Sequence, residues 1–190
     1  VWENATYPAD TDGLLAAIKA SLDNEPDSTT RDDGDVTAAV TGTEVTAEYT
    51  VPFLAHSTME PMCATALFTG TALAVWSGNQ APVIVRDKCA AAVGLAPEQV
   101  TVHTTLMGGG FGRRAESDFS VHAARIAAAM PGTPIRMTWS REEDMRHDFY
   151  RPAAIARFRG VVADGQAQLL DGRIAAPSVT HNSSLRTIGQ

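Results

Sequence analysis

The chain has 190 residues, 44% hydrophobic and 19% charged, which is enough apolar material for a packed core and too much for wholesale disorder. Its 22 acidic and 15 basic residues leave a net charge of −7, which argues against broad nucleic-acid binding because no basic excess exists to neutralise phosphates. Only Cys63 and Cys89 carry thiols, fewer than the four that an iron–sulfur cluster or an all-cysteine zinc site requires, and two buried free thiols are expected. No apolar run approaches the ~20 residues of a membrane helix. The start, Val1-Trp2-Glu3-Asn4, has no initiator Met, basic start or apolar run, so a processed or excised chain is expected.

Helical spacing of Leu14, Leu15, Ile18 and Leu22 behind Asp10, Thr11 and Asp12 predicts a first helix. Acidic residues from Asp23 to Asp35 follow in a pattern unlike an EF-hand loop, which reads as a solvated linker and sets a boundary at residue 35. Period-two alternation of Val45, Ala47, Tyr49 and Val51 predicts a half-buried strand ending at Pro52. Strands are expected at 63–69 and 72–77. A helix is expected at 81–93, capped by Asn79 or Gln80 and closed by Gly94. A strand at 99–106 leads into Met107-Gly108-Gly109-Gly110-Phe111-Gly112-Arg113-Arg114, and a helix starts near Glu116. Beyond it come a strand at 134–140, a charged turn at 141–144, and two strands at 153–162 and 166–175 joined by Ala163-Asp164-Gly165. This order gives an α+β fold with a mixed sheet and packed helices, not a regular βαβ array.

The glycine run carries the strongest chemical signal. Four glycines in five positions between a strand and a helix exceed what a turn needs, and they permit close approach of a ligand to the backbone. No Gly-Lys-Ser/Thr follows, and the Gly-x-Gly-x-x-Gly spacing fails at Arg113, so a P-loop and a nicotinamide dinucleotide are poor fits. An anionic cofactor remains a good fit, with Arg113 and Arg114 as guanidinium partners or as charges paired with Glu116 or Asp118. None of the five histidines sits at a metal-site spacing, and His122 reads as a packing residue. Glu60, between apolar strands, is either buried with partners or an edge residue.

Three segments together resemble a known family: Pro52-Phe53-Leu54-Ala55-His56-Ser57-Thr58-Met59-Glu60-Pro61-Met62, Gly108 to Arg114, and Trp139 to Pro152. They are similar to the molybdenum hydroxylases of the xanthine oxidase family, and most closely to its isoquinoline 1-oxidoreductase beta-subunit, aldehyde dehydrogenase-like branch. The resemblance covers residues 36–175 and implies that 36–190 form part of a molybdopterin-binding domain. It implies molybdopterin with molybdenum, in the cytosine dinucleotide form, and iron–sulfur clusters on a partner small subunit. The metal is held in this family by the pterin dithiolene and by oxo, hydroxo and sulfido groups, so no protein metal ligands are expected. Carried over residue by residue, Gln80 corresponds to the Gln that contacts an oxo ligand, and Gly109, Gly110, Phe111 and Gly112 to the loop beside the pterin. Arg113 adds an anion contact, and Arg186, in Leu185-Arg186-Thr187-Ile188-Gly189, resembles a later cofactor-touching segment.

The chain departs from the family in three places. Ala115 stands where xanthine oxidase-type members carry Glu, so a purine-binding carboxylate is not implied. The stretch between Ala175 and Arg186 is shorter than the family's. The Gly-x-Gly-Glu motif that carries the general base does not occur, so no catalytic residue is expected in this chain and turnover by it alone is not expected. The implied function is the molybdopterin-binding portion of an enzyme that hydroxylates N-heterocycles or oxidises aldehydes with water as oxygen source. The alternative is a non-catalytic binding or assembly module. The implied partners are the remainder of the large subunit, the iron–sulfur subunit and a small aromatic or aldehyde substrate, with self-association over exposed apolar surface. The resemblance is compatible with either bacterial periplasm or cytoplasm.

Overall fold

The computed structural model describes Pro8 and residues 10–181. The fold is α+β, and its contacts divide the chain into two units. One joins the described residues up to Leu54 with Pro152–Ser178; the other joins Ala55–Arg151 with the described residues from Val179. Strand β1 (Thr43–Val51) finds its hydrogen-bonding partner more than a hundred residues later in β6 (Ala154–Ala163), which draws 43–54 into the first unit.

The first unit is a three-stranded antiparallel sheet, β1-β6-β7, with β7 at Gln166–Ala175. The β6–β7 hairpin turns through Asp164 and Gly165 at φ 51° and 72°, the paired positive φ values that a two-residue turn needs to match strand twist. Helix α1 (Thr11–Ser21) is capped by the Asp10 side chain, which accepts the Gly13 N–H at 2.6 Å. Its C-terminal end lies over the charged face of the sheet. There Lys19 pairs with Glu48, Arg157 bridges Asp23 and Glu48, and Arg173 donates to the Leu22 carbonyl. On that face Leu22, Ile155, Val161 and Leu169 are buried. The opposite face carries Val45, Tyr49, Leu170 and Ile174, the last 70% exposed. The alternation in β1 is therefore real, but the expected half-burial is not found: among the described residues, the apolar side is the uncovered one.

The second unit is a four-stranded mixed sheet in the order β4-β3-β2-β5, with β2 at Cys63–Phe68, β3 at Leu73–Ser77, β4 at Val100–Thr104 and β5 at Ile135–Thr138. Strand β2 runs antiparallel to β3 and β5, whereas β3 and β4 are parallel and joined through α2 (Pro82–Val93). Helix α3 (Asp118–Ala129) packs with α2 on one face of the sheet. Ala123, Ala124 and Ala127 are all fully buried there, and their small side chains let the helix approach β2 closely. Met62, Val75, Val85 and Phe119 complete the centre of this core, and Cys89 lies within it as a free thiol. Two local expectations change. Helix α2 has Ala81 as N-cap with no side-chain cap: Asn79 donates instead to the Ser77 carbonyl, and Gln80 turns to the glycine loop. The charged turn is a short helix, α4 (Arg141–Arg146), because Ser140 accepts the Glu143 N–H at 3.2 Å and caps it.

Candidate functional site

Strands β3 and β4 are parallel, so the segments leaving their carboxyl ends, 78–81 and 105–112, emerge at the same sheet edge, where ligands of parallel sheets collect. The two segments are joined directly. The Gln80 backbone N–H donates to the Arg114 carbonyl at 2.8 Å, and the Gly112 N–H donates to Gln80 Oε1 at 3.1 Å. That second bond fixes the amide's orientation, because Oε1 must face the donor, and it leaves the exposed Nε2 as a free donor.

A third segment, 56–60, closes against the loop. Glu60 and Gly108 exchange backbone and carboxylate bonds: the Glu60 N–H donates to the Gly108 carbonyl at 3.1 Å, and the Gly108 N–H to Glu60 Oε2 at 3.0 Å. Glu60 is thus partnered, as the first of its two readings required, but its side chain is 39% exposed and not buried. Burial alone would push its carboxyl up, but the Gly108 N–H, the Cys63 thiol and the Arg114 and Arg136 charges together hold it below the ordinary range. The same carboxylate and burial push the Cys63 thiol up, and burial alone pushes Cys89 to about 12, so neither thiol is a ready nucleophile.

The double arginine lies beneath this assembly. Arg114 is completely buried and donates to the Gly109, Gly78 and Glu60 carbonyls while pairing with Glu60 Oε2 at 2.8 Å. It is the internal brace that ties all three segments together. Arg113, 1% exposed, forms a fork with Asp118 at 2.8 and 2.9 Å and lies 3.2 Å from Asp148 Oδ1 through Nε. Its guanidinium is flanked by the Phe149 and Trp139 rings. Asp118 is one of the two partners foreseen for it, but the guanidinium is buried and the Asp118 side chain is 22% exposed, so the pair is not a surface one.

The loop holds an unusual backbone. Gly109 and Gly112 have φ of 104° and 102°, and Phe111, between them, has φ 52° and is 63% exposed. A bulky residue in the left-handed region costs about 1–2 kcal/mol. Ser57, in the apposed segment, is also left-handed at 46°. Gly110 has an ordinary φ; what it accommodates is Gln80, since a Cβ there would stand 2.7 Å from Oε1. A Cβ on Gly112 would stand 3.6 Å from His56 Nε2. Among the described residues, the N–H groups of Gly109, Gly110 and Phe111 have no hydrogen-bond partner. Together with Gln80 Nε2 they are unpartnered donors on one loop and the side chain bonded to it, which suits a ligand rich in acceptor oxygens.

The structure thus brings together Gln80, Gly109, Gly110, Phe111, Gly112 and Arg113, with Arg113 inside the protein and not at the loop surface. Arg186 lies outside the described residues. Sequence reasoning missed the pair His56–Asp148: the Asp148 carboxylate accepts both the His56 backbone N–H and its Nδ1–H, the latter at 2.9 Å. Both residues sit inside the motif segments, but the 92-residue separation gave no sign that they meet. Among the described residues no group of three or more His, Cys, Asp or Glu could hold a metal ion.

Residues 21–180 match the family model of the molybdopterin cofactor-binding domain, and the chain belongs to that family. It is 37% identical over 95 residues to the isoquinoline 1-oxidoreductase subunit beta of Brevundimonas diminuta, a match over 50% of this chain and 12% of that protein. It is 28% identical over 144 residues to the aldehyde oxidoreductase molybdenum-binding subunit PaoC of Escherichia coli K12, over 75% of this chain and 19% of that protein. The chain therefore spans less than a fifth of the length of these relatives. The aldehyde oxidoreductase of Desulfovibrio gigas shares its fold with a TM-score of 0.59 at 20% identity, over 70% of this chain and 15% of that one.

Proposed function

We propose that the chain forms the part of a molybdenum hydroxylase that grips molybdopterin between the Gly109–Gly112 loop and Gln80. The observation that carries this reading is the Gln80–Gly112 bond: it locks the amide so that Nε2 points away from its own loop contact as a free donor beside three unpartnered backbone N–H groups. Gln80 Nε2 would meet an oxo ligand, and the Gly109, Gly110 and Phe111 amides would meet acceptors of the pterin or its phosphate. Arg113 and Arg114 hold the loop from beneath, and Arg186 is a candidate for a further cofactor contact.

The cofactor, in its cytosine dinucleotide form, would supply two-electron oxidation with oxygen taken from water. The protein residues described here bind and orient; none of them is assigned a proton transfer at the substrate. The general base, the iron–sulfur centres that take the electrons, and most of the substrate wall belong to the remainder of a large subunit and to a small partner subunit. Aldehydes and N-heterocycles are the substrate classes, in keeping with the names of the relatives. The domain runs from about residue 36, with α1 and its acidic linker as an N-terminal extension. The exposed apolar face of the β1-β6-β7 sheet drives self-association when nothing else covers it.

Metal analysis for molybdenum, with release of a fluorescent pterin on oxidation, tests the reading on chain isolated from a cofactor-producing host. Pterin and molybdenum near one per chain are expected, with no turnover of aldehyde or quinoline by this chain alone. Absence of both would leave a non-catalytic module that retains the fold.

A further inference from the structure

His56 is held by a buried carboxylate. Its backbone N–H and its Nδ1–H both go to Asp148, whose side chain is 3% exposed and also faces Arg113 Nε at 3.2 Å. A carboxylate oxygen only accepts, so the proton of a neutral imidazole sits on Nδ1 and the Nε2 lone pair stays free. Nε2 has no partner among the described residues. It faces Gly112, where a Cβ would stand 3.6 Å away in van der Waals contact, and the His56 side chain keeps 11% exposure. The rest of the loop surface offers donors; Nε2 is an acceptor at its edge.

We propose that His56 is a cofactor-contacting residue whose Nε2 accepts a hydrogen bond from an N–H or O–H of the group bound over Gly110–Gly112, with Asp148 as the positioning residue that fixes the tautomer. The combination suits a ring system presenting a donor edge beside acceptor oxygens, as a pterin does. The Arg113–Asp148 contact holds the carboxylate that positions the imidazole. The proposal rests on the cofactor reading above.

The test uses the whole chain and molybdopterin supplied by a cofactor-producing host, with pterin content and the ¹⁵N spectrum of the imidazoles as readouts. The free chain should show His56 with Nδ1 protonated and Nε2 bare, and loading should move the Nε2 resonance while leaving His103 and His122 still. His56→Phe should lower pterin affinity roughly five- to tenfold, the equivalent of one hydrogen bond. His56→Gln, which keeps an acceptor, should recover part of it. Asp148→Asn should lower affinity as His56→Phe does, and the double variant should be no worse than either single one. An Nε2-protonated imidazole in the free chain overturns the proposal whether or not the variants fold. Wild-type chain that carries pterin with an unmoved Nε2 resonance, or variants that carry as much as wild type, overturn it alone. Wild-type chain that takes up no pterin overturns the cofactor reading and this proposal together.

Discussion

At Gly110 and Gln80 a single contact joins fold to ligand. A Cβ on Gly110 would press on the flexible end of Gln80, so Gly110→Val must displace the amide and break its bond to Gly112. The stability loss should be about 1 kcal/mol, a few degrees in melting temperature, while pterin binding is lost. Gln80→Ala should cost a similar amount of stability yet retain more pterin than Gly110→Val, because the loop amides remain open. Parallel melts and pterin assays on the two variants check the contrast.

Glu60 makes a separate statement about pH. Its folded carboxyl titrates below the ordinary value of 4.5. The stability it lends is therefore fully present above about pH 4.5 and is lost as pH falls through the lower folded value. Urea midpoints measured across the acid range should fall below pH 4.5 in the wild type, and Glu60→Gln should flatten that fall. An unchanged acid limb would show that Glu60 does not brace the loop.

The elements differ in how far their sequence announces them. Helices α1 and α2, the β6–β7 hairpin and the strand–glycine–helix order around residue 110 are legible because local chemistry dictates them: an Asp cap, Pro82 in a first turn, an Asp-Gly turn. Helix α4 is also written locally, as Ser140 three residues before Glu143, but its run of charges hides it as a turn. What lies at long range is not legible. Nothing in the sequence says that Arg114 is fully buried, that Arg113 reaches Asp148, or that His56 finds the same carboxylate. Strand β1 shows the limit most plainly, since alternation specifies two faces but not which one is covered. That uncovered face leads to a prediction for the sheet: Ile174→Lys should leave the melt within about 0.5 kcal/mol of wild type, as for an exposed site, and shift sedimentation toward monomer. A wild-type chain already monomeric at high micromolar concentration would remove the basis for self-association.

For the molecule as a whole, family membership rests on residues 21–180, and the candidate site is assembled from three segments within that match. The motif residues name the family; the reason they work together is the buried Arg114 that fastens 60, 78 and 109 to one another. The chain spans less than a fifth of its relatives, and the contribution claimed for it is correspondingly narrow: to hold and orient molybdopterin. Amide hydrogen exchange, resolved residue by residue with and without bound molybdopterin, tests that claim most directly. Binding should slow the Gly109, Gly110 and Phe111 amides, which lack partners in the free chain, and leave the Gly108 amide, already bonded to Glu60, nearly unchanged. Protection located elsewhere, or absent from these three amides in a chain that carries the cofactor, would contradict the account.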